Sequence, residues 1–358
     1  MQSKVNELNF KGQKIYIGID HHLRSWNVTI YTKELKHKTY CMDPNPKQLA
    51  DYLNRNFPGA EYLSAYEAGF SGFSTHRKLL EVGIMNIVVN PADIPTTDKE
   101  RKQKEDKRDS NKIAKCLRNQ SLSPIYIPSL GVEEMRSLMR YRKTLVKDIS
   151  RNKTRIKMFL YRNGINIPFE LASASKYWSS AFTKWLKAVR LTTDYGHIEL
   201  NDLVENTEKM RQSLLYVTKE IRKLSHQPEW KRKVDLLVTI PGVGILTAMS
   251  FLSELYTIKR FKNLDHLCSY IGLVPTTNSS GENDRTGNIT RRRNNHLRTM
   301  LTESAWVAAR TDPALSLKYN ELTKRMKGNK AIIRIAKKLL NRIRFVLLKE
   351  VEYQYAIK

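Results

Sequence analysis

Acidic side chains are scarce in this chain: 358 residues carry 35 Asp and Glu against 63 Lys and Arg, a formal charge of +28. So one-sided a balance attracts polyanions over long range, and that attraction weakens as salt rises. Nucleic acid is the expected partner. Long apolar runs are also missing: no stretch of about 18 apolar residues is present to span a bilayer. The opening MQSKVNELNF lacks the apolar segment of a secretion signal, so no membrane association and a cytoplasmic location are expected. Cysteine is nearly absent. Cys41, Cys116 and Cys268 are isolated and odd in number, which fits poorly with a disulfide framework and leaves no close pair to start a zinc site. No Gly-x-Gly-x-x-Gly follows the first strand pattern, which argues against a dinucleotide fold.

What is present reads as two or three globular domains, with 41% hydrophobic residues. KIYIGID, SWNVTIYT and HKTYCM are β-rich and closely linked, predicting a hairpin and a third antiparallel strand. A helix (NPKQLADYLNRN), a strand (AEYLSAYE), a helix (FSTHRKLLEVG), a strand stopped by Pro91 (IMNIVVN) and a helix (DSNKIAKCLRNQ) follow. That order predicts an α/β domain over residues 12–125, a mixed sheet with helices packed on it. Residues 126–228 read as a helical arm. Val132 to Phe159 and Leu203 to Leu224 recur at helical spacing, and the two helices can pair within one chain or between chains as a coiled coil. Residues 229–358 read as a mainly α-helical domain. Its tail, Lys318 to Lys349, has 11 Lys and Arg against one Glu, a bias that favours nucleic-acid backbone contact over a merely solvated face.

Four carboxylates stand out. Asp20 ends the first strand pattern and Glu67 the YLSAY strand, while Asp106 and Asp109 lie three apart in KEDKRDSNKIA, on one face if helical. Together they form a hard-oxygen set of the kind magnesium prefers, and two such ions about 4 Å apart suit phosphodiester cleavage. Plain structural duties fit as well: Asp20 can cap a turn, and Asp109 can be an N-cap. His21 and His22, adjacent on a strand, fall on opposite faces and converge poorly on one ion.

In the last third, Ile240-Pro241-Gly242-Val243-Gly244 joins two apolar helix patterns. Such a turn suits a helix-hairpin-helix element, in which Gly242 and Gly244 amides hold a phosphate, and it equally suits a tight interhelical turn. Then comes VPTTNSSGENDRTGNITRRRNNHLR. Gly281 and Gly287 permit a close-approach loop, and Arg285, Arg291, Arg292, Arg293 and Arg298 are candidate phosphate clamps, with His296 nearby. The arginine run reads as the opening turn of the next helix. A serine here is either an ordinary loop residue or a nucleophile on phosphorus, which would need an activator and cationic stabilisation.

These motifs resemble the insertion-sequence transposases that carry a RuvC-like Asp-Glu-Asp-Asp domain followed by a C-terminal serine domain, a family that includes bridge-RNA-guided recombinases. IGID matches the first motif at Asp20, YEAGFSGF the second at Glu67, and KEDKRDSNKIA the third at Asp106 and Asp109. The family commonly has alanine after the last acid, where this chain has Ser110. TIPGVGILTA and the stretch from RFKNLDHLCSYIGLV through NSSG to ESAW look like the C-terminal domain. The resemblance covers about residues 15–345 and is least specific in the middle. It implies an RNase H-like (RuvC-like) first domain, magnesium at the four acids and Ser280, rather than Ser279, as the nucleophile. It further implies donor and target DNA as substrates, a structured non-coding guide RNA, and a dimer or tetramer with a composite centre formed across subunits. The competing functions are a RuvC-like metal-dependent endonuclease using water, and a non-catalytic nucleic-acid-binding protein.

Overall fold

The computed structural model of the chain describes residues 9–95, 106–280, 283–290 and 293–355, apart from the side chains at 106–107, 277–280, 283–286 and 288. Two compact units divide it, one reaching to Ile127 and the other beginning at Pro128.

The first unit contains β1 (Lys14–His21), β2 (Trp26–Tyr31), β3 (Lys36–Met42), α1 (Pro46–Asn56), β4 (Glu61–Glu67), α2 (Ser74–Glu81), β5 (Met85–Val89) and α3 (Asp106–Arg118). The sheet runs β3-β2-β1-β4-β5. β1 to β3 are antiparallel neighbours, while β4 and β5 continue parallel to β1. The expected mixed sheet with flanking helices is what forms. Both faces of β1 are covered. Ile15, Ile17 and Ile19 join Val28, Ile30 and the α1 and α2 residues Leu49, Leu53 and Leu79 in one core. On the opposite face Tyr16, Gly18 and Asp20 alternate with them, and α3 lies there.

Gly18 sets how close α3 comes. A Cβ at Gly18 would stand 2.1 Å from the Ser110 carbonyl oxygen and 2.4 Å from the Ala114 nitrogen. Ser110, fully buried at this contact, has its hydroxyl 2.9 Å from Thr29 Oγ1, which in turn is 2.8 Å from Thr39 Oγ1. A polar residue at the helix–sheet contact is thus paired rather than orphaned.

The second unit is helical: α4 (Leu130–Arg162), α5 (Ser180–Ala188), α6 (Asp194–Leu224), α7 (Pro228–Val238), α8 (Ile245–Leu255), α9 (Leu264–Ile271), α10 (Asn295–Thr311), α11 (Pro313–Thr323) and α12 (Gly328–Lys349). The long helices α4 and α6 pair within the chain and run antiparallel, since Arg142 meets Thr218, Asn152 meets Thr207, and Arg162 meets Glu199. Their distal halves close a small core with α5. Their proximal halves, through Met135, Met139, Val217 and Ile221, share the core of α7 to α12. α8 is buried on all sides from Thr247 to Leu255, as expected of a helix apolar all round.

Two expectations are corrected here. The stretch around the serines is not an irregular loop but a β-hairpin, β6 (Pro275–Ser280) with β7 (Asn283–Ile289). The arginine run is not the opening turn of α10. Asn294 caps that helix, its Oδ1 accepting from the His296 and Leu297 amides, so Arg293 precedes the helix. Arg291 and Arg292 lie outside the described residues.

Replacing Gly18 with alanine should destabilise the first unit by about 3 kcal/mol, because the Cβ meets backbone atoms that cannot rotate away. Denaturant unfolding checks this. A loss below about 0.5 kcal/mol would mean that α3 is not seated on β1 as described.

Candidate functional site

The strand register brings two of the four acids together. β1 and β4 pair in parallel up to Ile19 opposite Tyr66, so the next residues on the two strands are Asp20 and Glu67. Both stand at C-terminal strand ends, on the α3 face of the sheet. α3 starts at that same end: Ser110 lies over Gly18, while Ala114 and Leu117 pack further back with Tyr16, Tyr31 and Leu63. Its first turn carries Asp106 and Asp109. Asp109 is half-buried, four residues ahead of the buried Ile113, and Asp106 is four ahead of Ser110. The Asp106 side chain lies outside the described residues.

The Asp20 carboxylate is 19% exposed and stands 3.1 Å from His22 Nε2. His21 turns to the opposite face, 2.9 Å from Thr75 Oγ1 and against Trp26, Tyr66 and Phe70, and burial lowers its pKa. The two histidines diverge, as their alternation predicts. Among the described residues no three His, Cys, Asp or Glu side chains gather to hold a metal ion. The donor chemistry nonetheless fits magnesium, because all four candidates are carboxylates.

In the second unit, Ser280 is the last residue of β6, opposite Asn283, and Ser279 is opposite Asp284. Directly opposed positions share a hairpin face and consecutive ones alternate. Positions 278, 280, 283 and 285 therefore form one face, which groups Ser280 with Arg285; positions 277, 279, 284 and 286 form the other, which groups Ser279 with Asp284. The base of the hairpin is tied to the helices. The Thr290 amide donates to the Val274 carbonyl at 3.0 Å, and Arg298 Nη1 donates to the Thr290 carbonyl at 3.2 Å. Arg298 thus has a structural contact, while Arg293 is exposed and donates to Asn295 Oδ1. His296 is buried and neither ring nitrogen has a hydrogen-bond partner among the described residues. Burial, with the nearby Lys143, pushes its pKa down to about 4, so at neutral pH it is uncharged and no phosphate clamp.

The Pro241–Gly244 turn is closed against α10. Gly242 has φ +84° and a Cβ there would stand 2.4 Å from the Ser304 carbonyl oxygen, so close approach explains this glycine. Gly244 is the exposed N-cap of α8.

Sequence reasoning passed over the residue that organises this region. Glu254 lies on the all-buried α8 and is itself 0% exposed. Arg140 of α4 grips it with two bonds, Nε to Oε1 at 2.6 Å and Nη2 to Oε2 at 2.9 Å, and Asn294 Nδ2 donates to Oε2 at 2.8 Å. Burial pushes the Glu254 carboxyl up, but Arg140, Asn294 and Arg136 outweigh it and hold the pKa below the ordinary value. The same Asn294 caps α10 directly after the arginine run. One carboxylate therefore links the long helix, the core helix and the segment leaving the hairpin. The available signal was a lone acid in the apolar run GILTAMSFLSEL.

Sheet, hairpin and helical core match known proteins in two places. A model described as "Transposase", for the IS110 DEDD type, matches residues 17–163, and that of the "Transposase IS116/IS110/IS902 family" matches residues 234–320. The chain belongs to this IS110/IS1111 group of insertion-sequence transposases, and is an enzyme of that class. It is 28% identical over 255 residues to the transposase for insertion sequence element IS1533 of Leptospira borgpetersenii, covering 70% of this chain and 72% of that one. It is 25% identical over 328 residues to the transposase for insertion sequence element IS1111A of Coxiella burnetii, covering 90% and 83%. No described helix is long and apolar enough to cross a membrane.

The two ends of the Arg140–Glu254 pair should respond unequally to mutation. Arg140→Ala strands a fully buried carboxylate and should cost about 3 kcal/mol. Glu254→Gln keeps an acceptor for Asn294 and leaves a guanidinium whose side chain is 53% exposed and can hydrate, so about 1 kcal/mol is expected. Urea unfolding of both variants checks the order. A larger loss for Glu254→Gln would contradict it.

Proposed function

We propose that the protein cleaves and rejoins DNA strands through a covalent serine–DNA intermediate, with Ser280 as the nucleophile and magnesium held by Asp20, Glu67, Asp106 and Asp109. The reading is carried by the hairpin register, which groups Ser280 with a cation, Arg285, and Ser279 with an anion, Asp284. A cation at a register position on the Ser280 face is the neighbour that a phosphate attacked by Ser280 would require, which favours Ser280 over Ser279 in this reading. Adjacent Asp20 and Glu67 at the start of α3, and the strand order β3-β2-β1-β4-β5, support an RNase H-like domain with a carboxylate metal site.

In the proposed step, Ser280 Oγ bonds to phosphorus as its proton passes to a base. The bond from phosphorus to the leaving deoxyribose oxygen breaks, and that oxygen takes up a proton. One phosphodiester replaces another, so a second DNA hydroxyl can later attack the phosphoserine and restore a DNA strand. Arg285 at a register position on the Ser280 face, with Arg293 just ahead of α10, stabilises charge building on the phosphate oxygens. Magnesium, held by Asp20, Glu67, Asp106 and Asp109 when bound, would supply Lewis-acid stabilisation of phosphate charge.

A structured RNA guide and a homodimeric or tetrameric assembly complete the proposal. The charge of +28 accords with a second polyanionic partner. On the helical arm Tyr141, Leu215 and Tyr216 are exposed by 50%, 70% and 66%, which supports a self-association surface there.

Labelled DNA stopped mid-reaction and resolved under denaturing conditions tests the serine assignment. Ser280→Ala should abolish the protein–DNA adduct and Ser279→Ala should retain it. Loss only in Ser279→Ala would reverse the assignment, and cleavage without any adduct would favour a hydrolytic endonuclease.

A further inference from the structure

α12 divides sharply into two faces. Ala331, Ile332, Ile335, Ala336, Leu339, Leu340, Ile343 and Val346 are buried in the core of the second unit. The helix has no acidic residue between Gly328 and Lys349, and Lys330, Arg334 and Lys338 recur at four-residue spacing on its exposed side. Lys337 and Arg342 are spoken for, by Asp265 at 2.9 Å and by the buried Asp312. Lys330, Arg334 and Lys338 have no ion-pair partner among the described residues. The hydrophobic core fixes the helix, so the row is held in place without an ion pair of its own among the described residues.

The neighbouring helix extends the patch. At the end of α11, Lys318 holds Glu321 at 2.6 Å, and exposed Lys324 and Arg325 follow. The Lys318 hydrogen bond, then the charges of Arg325 and Lys338, lower the Glu321 pKa, so the ends of α11 and the α12 row lie within electrostatic reach. The single acid of the patch is already neutralised by its own neighbour.

We infer that the exposed row Lys330–Arg334–Lys338, flanked by Lys324 and Arg325, is a docking surface for the phosphate backbone of duplex DNA, carried by α11 and α12 rather than by the serine hairpin. Eight residues of helix rise about 12 Å, a length that along the duplex axis covers the rise of roughly three to four phosphates of one strand. One cation per helical turn on a convex face, with no aromatic ring between them, offers charge to a backbone but no platform for stacking bases. Contact here is sequence-independent. The inference rests on the proposed DNA-rejoining function, in which a duplex must stay held after its strand is cut.

Binding of a random-sequence 30-base-pair duplex, measured by fluorescence anisotropy across a salt series, tests the surface on the full chain (duplex length about three turns). The triple variant Lys330→Gln, Arg334→Gln, Lys338→Gln should lower the slope of log K against log salt by about 2.7, at 0.9 per lost phosphate contact. Lys330→Arg with Lys338→Arg should keep the wild-type slope, which separates charge from any disturbance of the fold. An unchanged slope in the triple variant overturns the docking surface and leaves the transposase reading intact. A drop seen with duplex RNA and not with DNA overturns it in favour of an RNA surface. If the wild-type chain binds no duplex DNA at all, the proposed function falls as well.

Discussion

A fully buried carboxylate in the last turn of an apolar helix has to be paired, and the second unit is arranged around the pairing of Glu254. An isolated ionised carboxylate in that position would carry a large desolvation penalty. Arg140 reaches it from the long helix with a two-bond grip, and Asn294 reaches it from the cap of α10. The pair itself need not add much net stability, since desolvation takes back most of the attraction. Its contribution is geometric. A two-bond guanidinium contact accepts few orientations. It therefore sets where α4 lies on α8, and where α10 begins relative to the hairpin.

The first unit depends on a different constraint, the missing side chain of Gly18. Helix α3 can sit close enough to β1 for its first turn to reach the ends of β1 and β4 only because nothing projects from that position. The acids at those strand ends and on that turn are then brought to one end of the sheet by backbone geometry. Side chains on rigid elements hold a metal-binding arrangement better than side chains on loops.

The sheet was legible because its strands alternate or run apolar, as in KIYIGID and SWNVTIY, and the spacing of Asp106 and Asp109 already put them on one helix face. The hairpin was not. PTTNSS and NDRTGNI have almost no apolar alternation, so pairing is decided by backbone bonds that composition does not reveal. The antiparallel pairing of α4 with α6 inside one chain was open for a similar reason: heptad-like spacing states that a helix has a partner, not which one. Asn152 bonded to Thr207 and to the Leu203 carbonyl fixes that choice, and neither residue type announces it. Glu254 was passed over because a single acid at the end of an apolar run looks like a helix terminus.

In the proposed strand exchange the carboxylates of the sheet and the serine of the hairpin serve one reaction. The most direct test is the yield of covalent protein–DNA adduct in magnesium for Asp20→Asn beside the wild type. Asp20→Asn keeps the shape of the side chain and removes its charge. Serial function of the two sites predicts that adduct falls to background in Asp20→Asn while duplex binding is retained. Adduct at the wild-type yield would mean that the sheet carboxylates play no part in the serine's chemistry.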